Sequence, residues 1–206
     1  MQAWLARLEV SLSLSLPSDS LLALFTSATI SLPYAGSLWS LYASHITSSS
    51  TAEECAKWYE ESIATSLLTS AIAPTNFHQP STLSPRTLLP SLYLSFLLSS
   101  FPPSSIGTKI ESLLSGAPTL PIEFLRQVLD VPVSTIGSER RTKIVGRLLR
   151  NRDAGAGDWI RAAREELEGG KVVEANEVVL RAARALKGGE KVRLEKMWEK
   201  VCDGKE

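Results

Sequence analysis

The stretch DWIRAAREELEGGKVVEANEVVLRAARAL, Asp158–Leu186, decides the fold of this chain. Trp159 begins an apolar stripe at helical spacing, Gly169-Gly170 interrupts it, and a second helical stripe follows. In the second stripe Ala175 and Ala182 are small enough for two helix backbones to approach closely, and the valines between them fill the space between the helices. The stretch therefore predicts a packed pair of helices joined by a glycine turn.

The same plan recurs with a period of 34 or 35 residues. Trp4 and Trp39 are 35 residues apart, and so are Phe124 and Trp159. A fixed period in this range is typical of stacked helix pairs. We predict an all-α fold, a right-handed α-α superhelix of about five helix pairs, with a C-terminal capping helix over residues 191–201.

The predicted repeat core consists of the aromatic and small residues that recur at the expected helix–helix contacts. Its members are Trp4, Phe25, Trp39, Tyr42, Trp58, Tyr59, Phe124, Trp159, Ala175, Val178 and Ala182. A third, degenerate pair is predicted around Tyr93 and Leu113, and a fourth over residues 124–149.

Local signals place several helix starts. Thr51 and Glu54 form a capping box, and Asp158 has the side chain of an N-cap for the Trp159 helix. Pro85 and Pro121 are each predicted at the first position of a helix, where the missing N–H is tolerated. These signals divide the chain into helices of about a dozen residues with almost no strand pattern.

The segment VSLSLSLP, Val10–Pro17, is a local exception because apolar and polar residues alternate as they do on a strand. Its position near the N-terminus also suggests a secretory signal, although Glu9 and the serines make a poor apolar region for one. A stripe from Trp4 through Leu16 at steps of three and four favours a helix that ends at Pro17.

A second exception is the Pro- and Ser-rich segment 73–86, which is predicted to be a flexible loop. Trp39 and Tyr93 are 54 residues apart, which is one repeat plus an insertion of about 20 residues. We predict that the whole chain, residues 1–206, forms one repeat domain. Its start inside a repeat suggests the C-terminal part of a longer protein.

Composition argues against several classes of function. The 22 basic and 22 acidic residues cancel, so no overall charge indicates a nucleic acid or membrane partner. The two cysteines give no disulfide framework. His45 and His78 have no metal-ligand spacing, and neither is near a nucleophile pattern, so we predict no enzyme, no metal and no cofactor.

One basic run could contact a ligand. Arg140, Lys143, Arg147 and Arg150 have spacings of three, four and three and would line one face of a helix. Such a stripe could bind RNA phosphates or an acidic partner, although a solvated outer face is the simpler interpretation.

The helix B pattern A-x-x-V-V-x-R-A, formed by Ala175, Val178, Val179, Arg181 and Ala182, resembles the half-a-TPR (HAT) repeat. Residues 38–63 follow the same plan with two Trp-Tyr pairs. The last unit departs from the pattern because Ala162 stands where the family has Tyr. Within the HAT family, the chain is most similar to the small nucleolar RNA-associated subunits of the UTP-B complex, in the small-subunit processome.

This resemblance implies a non-enzymatic interaction scaffold in ribosome biogenesis and pre-18S rRNA processing, located in the nucleus and nucleolus. The implied partners are other protein subunits of a nucleolar ribonucleoprotein complex, including a propeller subunit or its extended peptide. RNA would be a secondary partner, and no membrane is involved. HAT scaffolds of splicing and of mRNA 3′-end processing share the pattern and remain alternatives, as does direct RNA binding through residues 140–152.

Overall fold

The computed structural model describes residues 1–70, 84–117 and 119–203, and over these ranges the chain forms helices and no strand. The helices are α1 (Gln2–Ser13), α2 (Ser18–Ser31), α3 (Gly36–Ser49), α4 (Ala52–Ser70), α5 (Pro85–Ser100), α6 (Pro103–Gly116), α7 (Ile122–Asp130), α8 (Val133–Ile136), α9 (Ser138–Arg150), α10 (Ala156–Glu168), α11 (Val172–Ala185) and α12 (Gly189–Cys202). The all-α prediction is confirmed.

The chain divides into two compact units, Met1–Gly137 and Ser138–Glu206. The N-terminal unit contains α1 to α8, and the C-terminal unit contains α9 to α12. The prediction of one repeat domain over residues 1–206 stays a prediction, and residues 73–83 of the expected loop lie outside the described residues. The last two residues of that loop, Pro85 and Arg86, belong to α5, because proline is accepted at a helix start.

Alternate helices of the N-terminal unit pack on one another. Helix α5 contacts both α3 and α7, and α6 contacts both α4 and α8. Consecutive helices also pack together from α1 through α6. Helices two apart in the chain are thus in contact on both sides of α5 and of α6.

The C-terminal unit is centred on α10, which packs against α9, α11 and α12. Its core contains Trp159 and Ala163 from α10, Ala175 and Ala182 from α11, and Leu194 from α12. Because the alanines are fully or almost fully buried, the α10 and α11 backbones lie close together. Gly170 has φ +75° in the turn between them, a conformation that favours glycine.

For the fourth helix pair, expected over residues 124–149, the prediction of the second helix is wrong. Helix α7 lies in the N-terminal unit, whereas α9, which was expected to pair with it, lies in the C-terminal unit. The single turn α8 instead occupies the place after α7 and packs on α6. The capping helix expected over 191–201 is present as α12, which begins at Gly189 and ends at Cys202 and is therefore slightly longer at both ends.

Two of the predicted helix starts are as expected. The Thr51 N–H donates to Glu54 Oε2 at 2.9 Å, and the Glu54 N–H donates back to Thr51 Oγ1 at 3.4 Å, which is a capping box. Pro85 is the first residue of α5.

Two other predicted starts are shifted. Pro121 is the N-cap of α7 and precedes its first residue. Asp158 lies in the first turn of α10 and is not its N-cap, because the helix begins at Ala156. Its carboxylate accepts the N–H of the actual cap, Gly155, at 2.9 Å.

The VSLSLSLP segment is helical only in part. Helix α1 ends at Ser13, and Ser15 has φ +50°, so the expected continuation to Pro17 is wrong. Leu8 is fully buried, but Leu14 and Leu16 are exposed. The apolar stripe therefore has nothing to pack against in its last turn, and the chain leaves the helix before Pro17, which caps α2.

Candidate functional site

The predicted repeat core is largely buried in the structure. Nine of its eleven members are buried, namely Phe25, Trp39, Tyr42, Tyr59, Phe124, Trp159, Ala175, Val178 and Ala182. Trp4 and Trp58 are half-buried. These residues pack the helices, so most of their surface is closed to a ligand.

A chain of aromatic rings connects helices α2 to α5 in the N-terminal unit. The Phe25 and Tyr42 rings stack at 4.8 Å, Tyr42 meets Trp58 edge-on at 4.8 Å, and Tyr59 stacks on Tyr93 at 5.3 Å. Offset and edge-to-face ring pairs of this kind stabilise a fold beyond the area they bury. The rings hold together α3, α4 and α5, and a groove lies among these three helices.

The groove lies among α3, α4 and α5 and has a volume of about 450 Å³. Helix α3 supplies most of its wall, Tyr59 of α4 its aromatic part, and Leu92 of α5 an apolar edge. The lining residues are Ser40, Ala43, Ser44, Thr47, Ser48, Tyr59 and Leu92. Serines at steps of four along α3 place their hydroxyls on one face because a helix has 3.6 residues per turn.

The groove offers neutral hydrogen-bonding groups beside apolar surface. Thr47 Oγ1 donates to the Ala43 carbonyl and Ser48 Oγ to the His45 carbonyl, both at 2.8 Å, so each hydroxyl keeps lone pairs for an incoming donor. Burial raises the pKa of the Tyr59 phenol, so Tyr59 stays neutral at physiological pH. This combination suits an extended peptide, whose backbone donates and accepts hydrogen bonds along its length.

Polar contacts fix α4, α5 and α6 beside the groove. The fully buried Tyr93 donates its hydroxyl to Glu60 Oε1 at 2.8 Å, and Ser112 Oγ donates to Glu60 Oε2 at 3.2 Å. Lys109 Nζ lies 2.7 Å from Glu53 Oε2. Sequence reasoning missed this network because the partners are 33 to 56 residues apart and no local spacing connects them.

The predicted basic stripe lies on α9, with Arg140 and Arg147 half-buried and Arg150 exposed. Lys143 is paired with Glu139 at 3.1 Å. On the same helix, Ile144 and Leu148 are fully buried.

An arginine contact between α9 and α10 was not predicted. Arg141 reaches Glu165 of α10 with Nε at 2.9 Å and Nη2 at 2.8 Å, which ties the two helices together. In contrast, Arg181 of α11 is exposed and forms no ion pair in the described part of the chain.

The two histidines do not form a site together. His45 stacks on Phe25 at 5.2 Å, its Nε2 is buried without a hydrogen-bond partner, and burial lowers its pKa. His78 lies outside the described residues. Within the described ranges no cluster of three His, Cys, Asp or Glu residues could hold a metal ion, and no helix is both long and apolar enough to cross a membrane.

Comparison of the chain with protein-family models, with curated proteins and with solved structures gives no match in any of the three. The class that the structure itself defines is an all-helical protein in which neighbouring helices pack together.

Proposed function

We propose that the chain is a non-enzymatic protein–protein interaction scaffold that folds as a right-handed, HAT-like superhelix. The single observation that carries the proposal is the packing of alternate helices, in which α5 contacts both α3 and α7 and α6 contacts both α4 and α8. Stacked helix pairs expose a continuous surface along one layer of helices, and such surfaces bind extended segments of partner proteins. The groove among α3, α4 and α5 is the surface to which we assign this role.

The chemistry of the groove supports a peptide as the partner. Its lining carries hydroxyls, one phenol and apolar groups but no carboxylate, ammonium or guanidinium. A peptide backbone with small apolar side chains is complementary to such a surface, whereas a phosphate backbone needs basic residues.

The HAT-like pattern of residues 158–186 extends the proposal to a cellular setting. We propose that the scaffold works in the small-subunit processome, within the UTP-B complex of the nucleolus, and holds an extended peptide of a propeller subunit. The resemblance of the residues is what supports this assignment.

The test is affinity capture from nucleolar extract with the whole chain as bait and nuclease present. Ser44→Arg places a long charged side chain in the groove without changing a core residue, so it should abolish capture of processome subunits. Ser27→Arg on the exposed face of α2 is the matched control and should capture them normally.

Three results would contradict the proposal. Capture of splicing or 3′-end processing subunits would assign the scaffold to another HAT complex. Binding that nuclease removes, and that is lost on charge reversal at Arg140, Arg147 and Arg150, would favour direct RNA binding. Equal capture by Ser44→Arg and the unaltered chain would show that the groove is not the binding surface.

A further inference from the structure

A second concave surface lies on the terminal helix α12, in the C-terminal unit. It has a volume of about 280 Å³ and will be called the α12 groove. Its lining residues are Gly189, Val192, Arg193, Lys196, Met197 and Lys200. They recur at steps of three and four, so they share one face of the helix, while Leu194 is fully buried on another face.

The positive charges of the α12 groove are only weakly compensated. Arg193 lies 3.5 Å from Glu190, with its side chain 65% exposed. Among the described residues, Lys196 and Lys200 form no ion pair. The groove therefore differs from the α9 stripe, where Lys143 is neutralised by Glu139.

The three cations also repel one another. Arg193 and Lys196 are three residues apart, and Lys196 and Lys200 are four apart, which are the spacings at which like charges destabilise a helix. An anionic ligand in the groove would remove this repulsion and gain attraction to all three charges. Charge complementarity thus selects an acidic occupant.

Apolar surface in the same groove selects the kind of acidic occupant. Val192 is 50% exposed, and Met197 contributes to the lining although its other side packs on the core. A phosphate backbone gains nothing from these two side chains. An acidic peptide that also carries aliphatic residues would cover them, and methionine adapts to varied apolar partners.

We propose that the α12 groove is a docking site for an acidic, aliphatic-containing peptide segment of a partner protein. This site is separate from the α3–α5 groove and does not depend on the proposed cellular setting. Arg193, Lys196 and Lys200 contact the carboxylates, and Val192 and Met197 contact the aliphatic side chains between them.

The experiment measures fluorescence anisotropy of a labelled peptide of alternating Glu and Leu against the whole chain at low salt. The variant Arg193→Glu/Lys196→Glu/Lys200→Glu should weaken binding roughly tenfold or more, since each exposed ion pair contributes up to about 1 kcal/mol. The matched control Arg184→Glu/Lys187→Glu/Lys191→Glu changes the net charge equally outside the groove, and its affinity should stay within about twofold. Val192→Ser should weaken the peptide but not a single-stranded RNA of equal charge.

The outcomes are decisive in both directions. Equal weakening by the two triple variants would overturn the proposal in favour of general charge attraction. If the chain binds the RNA more tightly than the peptide, or if Val192→Ser leaves the affinity for the peptide unchanged, the choice of a peptide as the occupant is overturned. If the chain shows no measurable binding of the peptide, the proposed site itself is overturned. Far-UV circular dichroism checks folding, and the neutral variant Lys196→Gln/Lys200→Gln should show a smaller loss in the same direction.

Discussion

The start of α10 is held by a residue of another helix, and this contact gives a quantitative prediction. Glu190 in the first turn of α12 accepts the Ala156 N–H with Oε2 at 2.7 Å. Loss of a side-chain cap costs about 0.5–2 kcal/mol, and a carboxylate at a helix N-terminus adds about 0.3–1 kcal/mol by its interaction with the helix dipole. We therefore expect Glu190→Ala to lower the free energy of unfolding of the C-terminal unit by about 1–2 kcal/mol.

Gly155 provides a second arm of the same experiment. A Cβ at this position would lie 3.0 Å from Glu190 Oε2, so Gly155→Ala should push the carboxylate away from Ala156. The backbone of Gly155 is extended, at φ −94° and ψ 179°, which alanine adopts without strain. When Glu190 is already alanine, Gly155→Ala should instead stabilise by about 0.4–1 kcal/mol, because it restricts the unfolded chain.

The double-mutant cycle is measured by urea denaturation, with amide hydrogen exchange at Ala156 as the local readout. The two substitutions should couple by about 1 kcal/mol, because both remove the same hydrogen bond. Glu195→Ala changes an exposed glutamate of the same helix and should have little effect. The reasoning is refuted if Glu190→Ala costs no more than Glu195→Ala, or if the cycle shows no coupling.

Three other perturbations follow from buried titratable groups. Burial raises the pKa of Tyr93, so the phenol stays protonated to higher pH in the folded state than in the unfolded state, and stability should fall as the pH rises above about 10. In urea titrations, Tyr93→Phe should reduce this dependence of stability on pH. Burial lowers the pKa of His45, so stability should fall as the pH drops below about 6.5. His45→Gln should flatten the dependence of stability on pH in urea titrations, and an unchanged pH dependence would contradict the assignment. Cys202 is exposed and Cys55 is buried with a raised pKa, so a thiol reagent should modify one thiol rapidly and the second only on unfolding.

Helices were predictable from the sequence where their apolar stripes are long and their partners are near in the chain. The Trp159 pair is an example: its anchor, its glycine turn and its alanines all lie within residues 158–186, and all are placed as predicted. Neighbouring helices of this kind impose a local pattern on the sequence, because each must present one apolar face to the other.

Helix ends were less predictable because remote residues determine some of them. Asp158 has the side chain of an N-cap, but the helix extends two residues further back, where Glu190 satisfies the Ala156 N–H. These residues are 34 positions apart, so no local signal reveals the contact. Similarly, α1 ends at Ser13 and the next residue, Leu14, is exposed, although the apolar spacing continues.

The two grooves proposed as binding surfaces were the least predictable features. The α3–α5 groove is lined mainly by serine and threonine, which in a sequence are indistinguishable from the many other hydroxyl residues of the N-terminal unit. The α9 stripe was visible by its spacing, but spacing does not tell which arginine meets a carboxylate. Arg141, next to the stripe residue Arg140, points to Glu165 because adjacent residues of a helix differ by about 100° in direction.

The two proposed surfaces differ in a property that separates them experimentally. The N-terminal unit carries five Lys/Arg and nine Asp/Glu, and its groove has a neutral lining. The C-terminal unit carries 17 Lys/Arg and 13 Asp/Glu, and its groove has three cations. At about 0.1 M salt the screening length is about 10 Å, so added salt weakens attraction between exposed charges but has little effect on hydrogen bonds and apolar contacts. A partner of the α3–α5 groove should therefore stay bound as salt is raised, whereas a peptide in the α12 groove should dissociate. If one partner binds both surfaces, charge reversal at Lys196 and Lys200 should remove part of its affinity. That part should be the salt-dependent one, and the affinity that remains should not change with salt.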